Sequence, residues 1–459
     1  MAKLSIMKVK KFREYQPDQQ LLFPPSVKDW VPEGHPAHFI NEAVDSLDLS
    51  AIYGDYNELR GYPPYEPRMM VKVLIYAYSK GIRSSRKIER ALYDDVALRF
   101  LSCNQQPDHW TISEFRRRHL KALGELLVQS IQMADKAGLL KLNQVAIDGT
   151  KIKANASKHS AMSYAYMKKE EERLRKEIEN LLKDAERIDR EEDRKYGNRR
   201  GDELPEELST REKRLEAIKK AKAEIEAEAR ERAEQEQAER QAKAETNGKK
   251  YKRRKDANKA EPKMKAQRNF TDSDSRIMRN SDKAFIQGYN AQASVDAETQ
   301  IIVAADVCTK SNDVEQLTDQ VNQVIDNTGF RPVEVSADAG YYSEDNLTFL
   351  EQQGVEAFIP PDKIKHSEWR TQKALRGRIP KDATRKYLMR RKLRTKHGRE
   401  RYRLRQTSVE PVFGFIKEQL GLRQFLLRGI DKVRSSWRFI CAIHNLLKIF
   451  RLKNRLQTA

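Results

Sequence analysis

From residue 163 to residue 246 the chain is rich in Glu, Lys, Arg and Ala, and this stretch limits what the remainder can be. A segment so polar does not enter a globular core, so the fold must let it leave and return. Its first part carries a seam. Leu174, Ile178, Leu181, Ala185 and Ile188 step by four and three, the a/d spacing of a helix that packs on another helix. Gly197, Gly201 and Pro205 interrupt it. Ser209 and Glu212 then read as the cap of a second helix, whose stripe is Leu215, Ile218, Ala221 and Ile225. Two helices and a short loop make an antiparallel hairpin, each arm about 33 residues long and reaching roughly 50 Å. The basic run Lys249–Lys255 follows and suits phosphates. Residues 163–269 are therefore expected to form a helical-hairpin, coiled-coil insertion with a basic end.

The flanking sequence reads as one α/β unit cut in two. Val145–Ile147 is a buried-strand run that ends at Asp148. After the insertion, Phe285–Val295 alternates as a strand, turns at Asp296-Ala-Glu-Thr299 and returns at Gln300–Val307, a β-hairpin. A helix is expected over Val314–Ile325, a strand over Val333–Ala337 ending at Asp338, a helix from the Ser343 cap to Gln353, and a strand at Ala357–Pro360. Residues 363–403 carry a dense cationic run. Glu410 is expected to open a helix with Pro411 in its first turn, and a last apolar helix spans Ser435–Phe450. This order of strands and helices matches an α/β core with a ribonuclease-H-like mixed sheet. Ahead of it, residues 1–38 read as an extended lead-in and residues 39–140 as helical. Ile40, Ala43, Val44 and Leu47 fall at helical spacing, Met69–Tyr78 forms a helix stopped by Gly81, Ser84 or Ser85 caps the next, and Thr111 with Glu114 forms a capping box. A helix-turn-helix-like DNA reader and a small structural bundle account for this pattern equally well.

Asp148, Asp338 and Glu410 stand apart from the other acids. Asp148 and Asp338 end buried runs and are each followed by a glycine, Gly149 and Gly340, which reads as a tight turn that exposes the carboxylate. Two or three acids presented this way are hard ligands for Mg²⁺ or Mn²⁺, and a pair of such ions clamps the attacking and leaving oxygens of a phosphoryl displacement. The net charge of +21 points to a polyanion, with nucleic acid the commonest. The three cysteines, Cys103, Cys308 and Cys441, are far apart, which fits a reducing compartment and gives no zinc site. No signal core and no bilayer-length apolar run are present, so a cytoplasmic location is expected. Asp272, Asp274 and Arg276 read as a turn beside the nucleic acid and not as metal ligands.

Several motifs together resemble bacterial insertion-sequence transposases of the DDE class. They are Ile147-Asp-Gly-Thr-Lys, Gly288-Tyr-Asn-Ala-Gln, Ser336-Ala-Asp-Ala-Gly-Tyr-Tyr, and Arg405-Gln-Thr-Ser-Val-Glu-Pro-Val-Phe-Gly-Phe-Ile-Lys followed by Arg428-Gly. Gly81-Ile-Arg-Ser-Ser-Arg-Lys-Ile-Glu and Pro107-Asp-His-Trp-Thr-Ile-Ser-Glu-Phe-Arg resemble the family's helical domain. The resemblance implies that Asp148, Asp338 and Glu410 are the catalytic, metal-binding triad with two Mg²⁺ or Mn²⁺ ions. It also implies that Lys417, two helical turns past Glu410, holds a DNA phosphate. Arg405, Lys151, Tyr289, Asn290, Arg390, Arg391 and Arg428 complete the expected DNA-contacting set. The family's tyrosine–arginine–glutamate–lysine signature is not kept in full: Gln406 stands four residues before Glu410, Arg405 is one step off, and the nearest tyrosine is Tyr402. The expected division is a helical DNA-binding domain over 39–140, a catalytic domain over 141–162 and 270–450, the insertion over 163–269, and a basic tail over 451–459. The implied partners are element ends and target DNA, bound by a homodimer at the bacterial nucleoid, with no membrane. A structure-specific nuclease of the same fold and an inactive DNA-binding protein are the alternatives.

Overall fold

A computed structural model describes residues 26–56, 63–196, 206–246, 260–280, 284–363 and 377–458. The lead-in apolar residues Leu21–Phe23, the expected loop at Gly197–Pro205 and the basic run 249–255 lie outside the described residues, as do the side chains of Ala185 and Ile188.

Among the described residues, α1 (Pro36–Asp45), α2 (Ser50–Tyr53), α3 (Pro67–Ser79), α4 (Ser85–Asp94), α5 (Val96–Leu101), α6 (His109–Arg118) and α7 (Leu120–Lys136) precede the first strand. Helix α3 is apolar nearly all round, and Met70, Val71, Val73, Leu74, Ile75 and Ala77 are all buried, so it lies at the centre of this helical segment. Glu66 starts it by accepting from the Met69 amide at 2.6 Å. The start of α6 differs from the expected capping box. Asp108 is the N-cap and accepts from Thr111 N at 2.6 Å. Thr111 therefore sits inside the first turn, and Glu114 pairs with Arg117 instead.

The strands are β1 (Gln144–Lys153), β2 (Ala161–Ser163), β3 (Gln267–Asn269), β4 (Arg276–Arg279), β5 (Phe285–Asp296), β6 (Ile302–Cys308), β7 (Glu334–Ala337) and β8 (Glu356–Phe358). The main sheet runs β4-β5-β1-β7-β8, with β6 also on β5. β5 is antiparallel to β1 and β6, whereas β1, β7 and β8 are parallel, so the sheet is mixed. Helices α10 (Gln316–Thr328) and α11 (Glu344–Gln352) make the crossovers between the later strands. Both faces are covered. Ala146, Ile152, Ala291 and Ala293 face one apolar cluster, and Val145, Ile147, Val335 and Ala337 face the other. A strand buried on both sides reads as an unbroken apolar run, which is why these strands were legible.

The insertion contains α8 (Tyr164–Tyr196) and α9 (Glu206–Thr246), so the second helix starts ahead of the expected Ser209 cap. They run antiparallel: Glu177 pairs with Arg211 at 3.2 Å, Glu170 with Arg214 at 3.0 Å, and Glu171 with Lys222 at 2.9 Å. Tyr164, Met167, Leu174, Leu215, Ile218, Ala221 and Ile225 bury the contact. Each fully buried Leu or Ile contributes roughly 1.5–3 kcal/mol, so the pair has a small core of its own. That core stops at Ile225, and the rest of α9 is largely solvent-facing.

The cationic run after residue 377 folds into α12 (Arg385–Arg394) and the first turns of α13 (Lys396–Glu418). Glu410 therefore lies within a helix and does not open one. Thr395 is the cap, accepting from Gly398 N at 3.0 Å. Pro411 sits mid-helix, where it cannot donate to the Thr407 carbonyl. Gln300 Nε2 donates to that carbonyl instead, at 3.0 Å. Helix α14 (Ile430–Thr458) crosses α7 and β6. Its Trp437, Ile440 and Ile443 join the N-terminal helices and one sheet face in a single apolar core. Asp272 and Asp274 hold its start. They accept from Gly429 N at 3.1 Å and Ile430 N at 2.8 Å, acids placed at a helix N-terminus.

His444 on α14 is buried, and its Nε2 donates to the Gln300 carbonyl at 3.0 Å, while Nδ1 has no hydrogen-bond partner. Burial pushes its pKa from 6.5 down to about 4. A base with a depressed folded pKa stabilises the fold above its unfolded pKa and loses that contribution as pH falls toward the folded value. The protein is expected to lose roughly 3 kcal/mol of stability from this group between pH 7 and 4, at about 1.4 kcal/mol per unit. Denaturant unfolding of His444→Leu across that range should show a flatter acid limb than the wild type. An equally steep limb would assign the acid loss to other groups.

Candidate active site

β1 sits between β5 and β7, and its parallel register with β7 pairs Ile147 with Ala337. The next residues along the chain are Asp148 and Asp338, so the two carboxylates come from adjacent positions just past the point where the parallel pairing ends. By the two-residue alternation both share the face of Ala146 and Ser336. Their surroundings differ from the expected pair of glycine turns. Asp338 does lead into a tight turn, accepting from Gly340 N at 2.8 Å. Asp148 is in mid-strand, because β7 ends at Ala337 while β5 keeps pairing with β1 as far as Lys153–Gly288. Gly149 is thus a strand glycine. A Cβ built there would overlap the Gln292 amide nitrogen and stand 3.0 Å from Asp313 Oδ1.

Helix α13 crosses the same face, packing on β1, β5 and β7. Gln144 Nε2 donates to the Arg401 carbonyl at 2.8 Å, and Arg401 pairs with Glu334 at 3.2 Å. This docking brings Arg405 onto Asp148, with Nη1 donating to Oδ2 at 2.8 Å. The other guanidinium nitrogen stands 3.9 Å from Glu410 Oε1. Arg405 also lies over the Tyr402 ring at 5.6 Å. One buried guanidinium therefore bridges the first and third acids. The Asp148 side chain is 18 % exposed, and burial raises its pKa to about 6, against the opposing pull of Arg405. Asp338 adds a smaller upward push as a like charge.

Among the described residues no three His, Cys, Asp or Glu side chains converge closely enough to hold a metal ion as they stand. The donor set nonetheless suits a hard divalent cation. Asp148, Asp338 and Glu410 offer only carboxylate oxygens, and a cationic group already stands between Asp148 and Glu410.

The other expected contact residues fall into two groups. Lys151, Tyr289 and Asn290 point inward. Lys151 Nζ pairs with Asp313 at 3.1 Å, and Asn290 donates to Asp313 at 2.6 Å. The Tyr289 hydroxyl donates to Asp272 at 2.7 Å, and its ring is packed edge-on to Phe425. Tyr289 is fully buried, a core residue in this structure. Arg390, Arg391, Lys417 and Arg428 lie on helices or loops of the outer layer. Arg390 pairs with Asp362, Arg391 donates to the Gly377 carbonyl at 2.6 Å, and Arg428 donates to the Asn155 carbonyl at 3.0 Å. Lys417 is on α13 with Glu410. Asp313 and Tyr341 were not foreseen. Their one signal was the alternation of Asn290 and Gln292 with apolar residues inside a buried strand, which demands buried partners.

Two family models match the chain. A transposase domain (DUF772) covers residues 25–118, and a transposase DDE domain covers residues 262–446. The chain belongs to the DDE transposases of insertion sequences. The DDE match includes Asp338 and Glu410, whereas β1 with Asp148 precedes it across the insertion. No curated protein and no solved structure matches. No helix among the described residues is long and apolar enough to cross a membrane.

Removing the Arg405 cation should leave Asp148 as an unpaired buried charge. Arg405→Met is expected to destabilise the protein by about 3 kcal/mol near pH 7.5. Without the arginine the Asp148 pKa rises further, so the deficit should shrink as pH falls through about 6. Urea unfolding at pH 7.5 and pH 5 measures both. A deficit that is independent of pH would assign the loss to packing of the arginine stem.

Proposed function

We propose that this protein is a DNA transposase that cuts element ends and joins the freed 3′-hydroxyls to target DNA, using Asp148, Asp338 and Glu410 as its metal-binding triad. The observation that supports this most is the register that sets Asp148 beside Asp338, with Glu410 carried over them on α13. Strand order and crossovers fit a ribonuclease-H-like core. Two Mg²⁺ or Mn²⁺ ions, when bound, would activate the attacking oxygen and stabilise the leaving one. The protein's own part is alignment and charge. Burial makes the Asp148 carboxyl costly to ionise alone, so it favours a cation at that place. Arg405 fixes the Asp148 carboxylate and holds α13, and with it Glu410, against the sheet. Lys417 lies two turns beyond Glu410 on the same side of α13, the position for a substrate phosphate. Arg428, Arg390 and Arg391 extend the cationic surface. Lys151, Tyr289 and Asn290 support the site from within and do not touch DNA.

The N-terminal helices would read the element ends, and the α8–α9 arm would contact DNA or a second protomer, with the complex working as a dimer at the nucleoid. The expected steep salt dependence follows from the net charge of +21.

The deciding assay supplies a pre-cut 3′-hydroxyl element end and a supercoiled plasmid in Mg²⁺. Joined product is expected, whereas cutting with no joined product would make the protein a structure-specific nuclease. Asp148→Asn, Asp338→Asn and Glu410→Gln should each lower joining by more than about a hundredfold, because each removes several kcal/mol of charge stabilisation. End binding in a gel-shift assay should stay close to wild type, since phosphate contacts carry most of the affinity. A variant that still joins at the wild-type rate would remove its residue from the triad.

A further inference from the structure

We propose that Asp313 is a positioning residue for the Asp148–Asp338 pair, clamping from the opposite face of the sheet the side chains that brace both strands. This rests on the reading that the two aspartates hold the divalent ion.

Asp313 lies between β6 and α10, and its side chain is 19 % exposed. Its Oδ1 accepts from Asn290 Nδ2 at 2.6 Å, Gln292 Nε2 at 2.8 Å and Lys151 Nζ at 3.1 Å. Lys151 also reaches Oδ2 at 3.4 Å. These three donors alternate with Asp148 and Ala293, so they share the sheet face that α10 covers. The register pairs Lys151 with Asn290 and Gly149 with Gln292, which puts the cluster on the strand segment that carries Asp148.

The same cluster reaches Asp338 by a second route. Gln292 uses its amide nitrogen on Asp313 and its oxygen on the hydroxyl of Tyr341. Tyr341 is fully buried in the turn whose first amide contacts are made by Asp338. A Cβ built at Gly340 would stand 2.9 Å from Asp338 Oδ1 and 3.7 Å from Asp313 Oδ2, so both acids flank one backbone atom. Lys151 offsets the repulsion that this approach creates. One carboxylate thus ties β1, β5 and the turn after β7 into a single hydrogen-bonded unit. The glycine at position 149 is part of the device, because the cluster occupies the space a side chain there would need.

Outer-shell partners of metal ligands are worth about 10–100-fold in metal affinity, because they fix the direction of the ligating oxygens. The experiment measures Mn²⁺ binding to the full chain by electron paramagnetic resonance, with unfolding temperature and end binding alongside. Wild type, Asp148→Asn, Asp313→Asn, Tyr341→Phe and the Asp313→Asn/Tyr341→Phe double variant are compared. Asp313→Asn should weaken Mn²⁺ binding by about 10–100-fold with end binding unchanged. Tyr341→Phe should weaken it less, and the double variant should be no worse than Asp313→Asn, since both break one path. Wild-type Mn²⁺ affinity in Asp313→Asn, beside a lost site in Asp148→Asn, overturns the inference and leaves the metal reading standing. Losses that multiply in the double variant also overturn it. If Asp313→Asn does not fold, Tyr341→Phe decides: weakened Mn²⁺ binding supports the path, and unchanged binding overturns it. A wild type with no Asp148-dependent Mn²⁺ site removes the metal reading, and this inference falls with it.

Discussion

β1 is held between an antiparallel and a parallel neighbour, and both come from beyond the insertion. The pairing with β7 is short, but its register sets the one adjacency on which the site depends. A slip of one residue would move Asp148 or Asp338 to the other face, away from α13. Apolar side chains on both faces make that slip costly, since it would drive Val145 and Ile147 out of their cluster. The core and the site are thus specified by the same alternation.

The acids need a cation, and the chain supplies its own. Arg405 at Asp148 and Lys151 at Asp313 lie on opposite faces of the same strand pair. Each neutralises a carboxylate that burial would otherwise leave isolated. The arrangement keeps several acids close together in a folded protein and leaves carboxylate oxygens on the face that α13 crosses. The arginine is offset by one residue from the family's signature, yet it stacks on Tyr402 and reaches both Asp148 and Glu410.

The insertion and the helical segment attach to the core in different ways. The α8–α9 pair has a small core of its own near its base, and acid–base pairs between the helices supplement it. The N-terminal helices instead share their apolar core with α14 and one face of the sheet. A long polar excursion is tolerated because closing a longer loop adds little free-energy cost. A helical segment sharing a core cannot be removed without exposing Trp437 and its neighbours.

The sequence by itself determined the parts that follow from local chemistry. Buried strands at Val145–Ile147 and Glu334–Ala337 and the β5–β6 hairpin were legible because apolar runs and turn residues act over a few neighbours. Where two local signals competed, the sequence misled: Pro411 suggested a helix start, and Gly149 a turn. Both were decided by distant partners, Gln300 at the Thr407 carbonyl and β5 along β1. The Arg405 bridge, the buried state of Tyr289 and the hydrogen bonds gathered on Asp313 were likewise invisible. Each depends on which strand lies beside which, and that is set by packing between segments far apart in the chain, where no local pattern records the outcome.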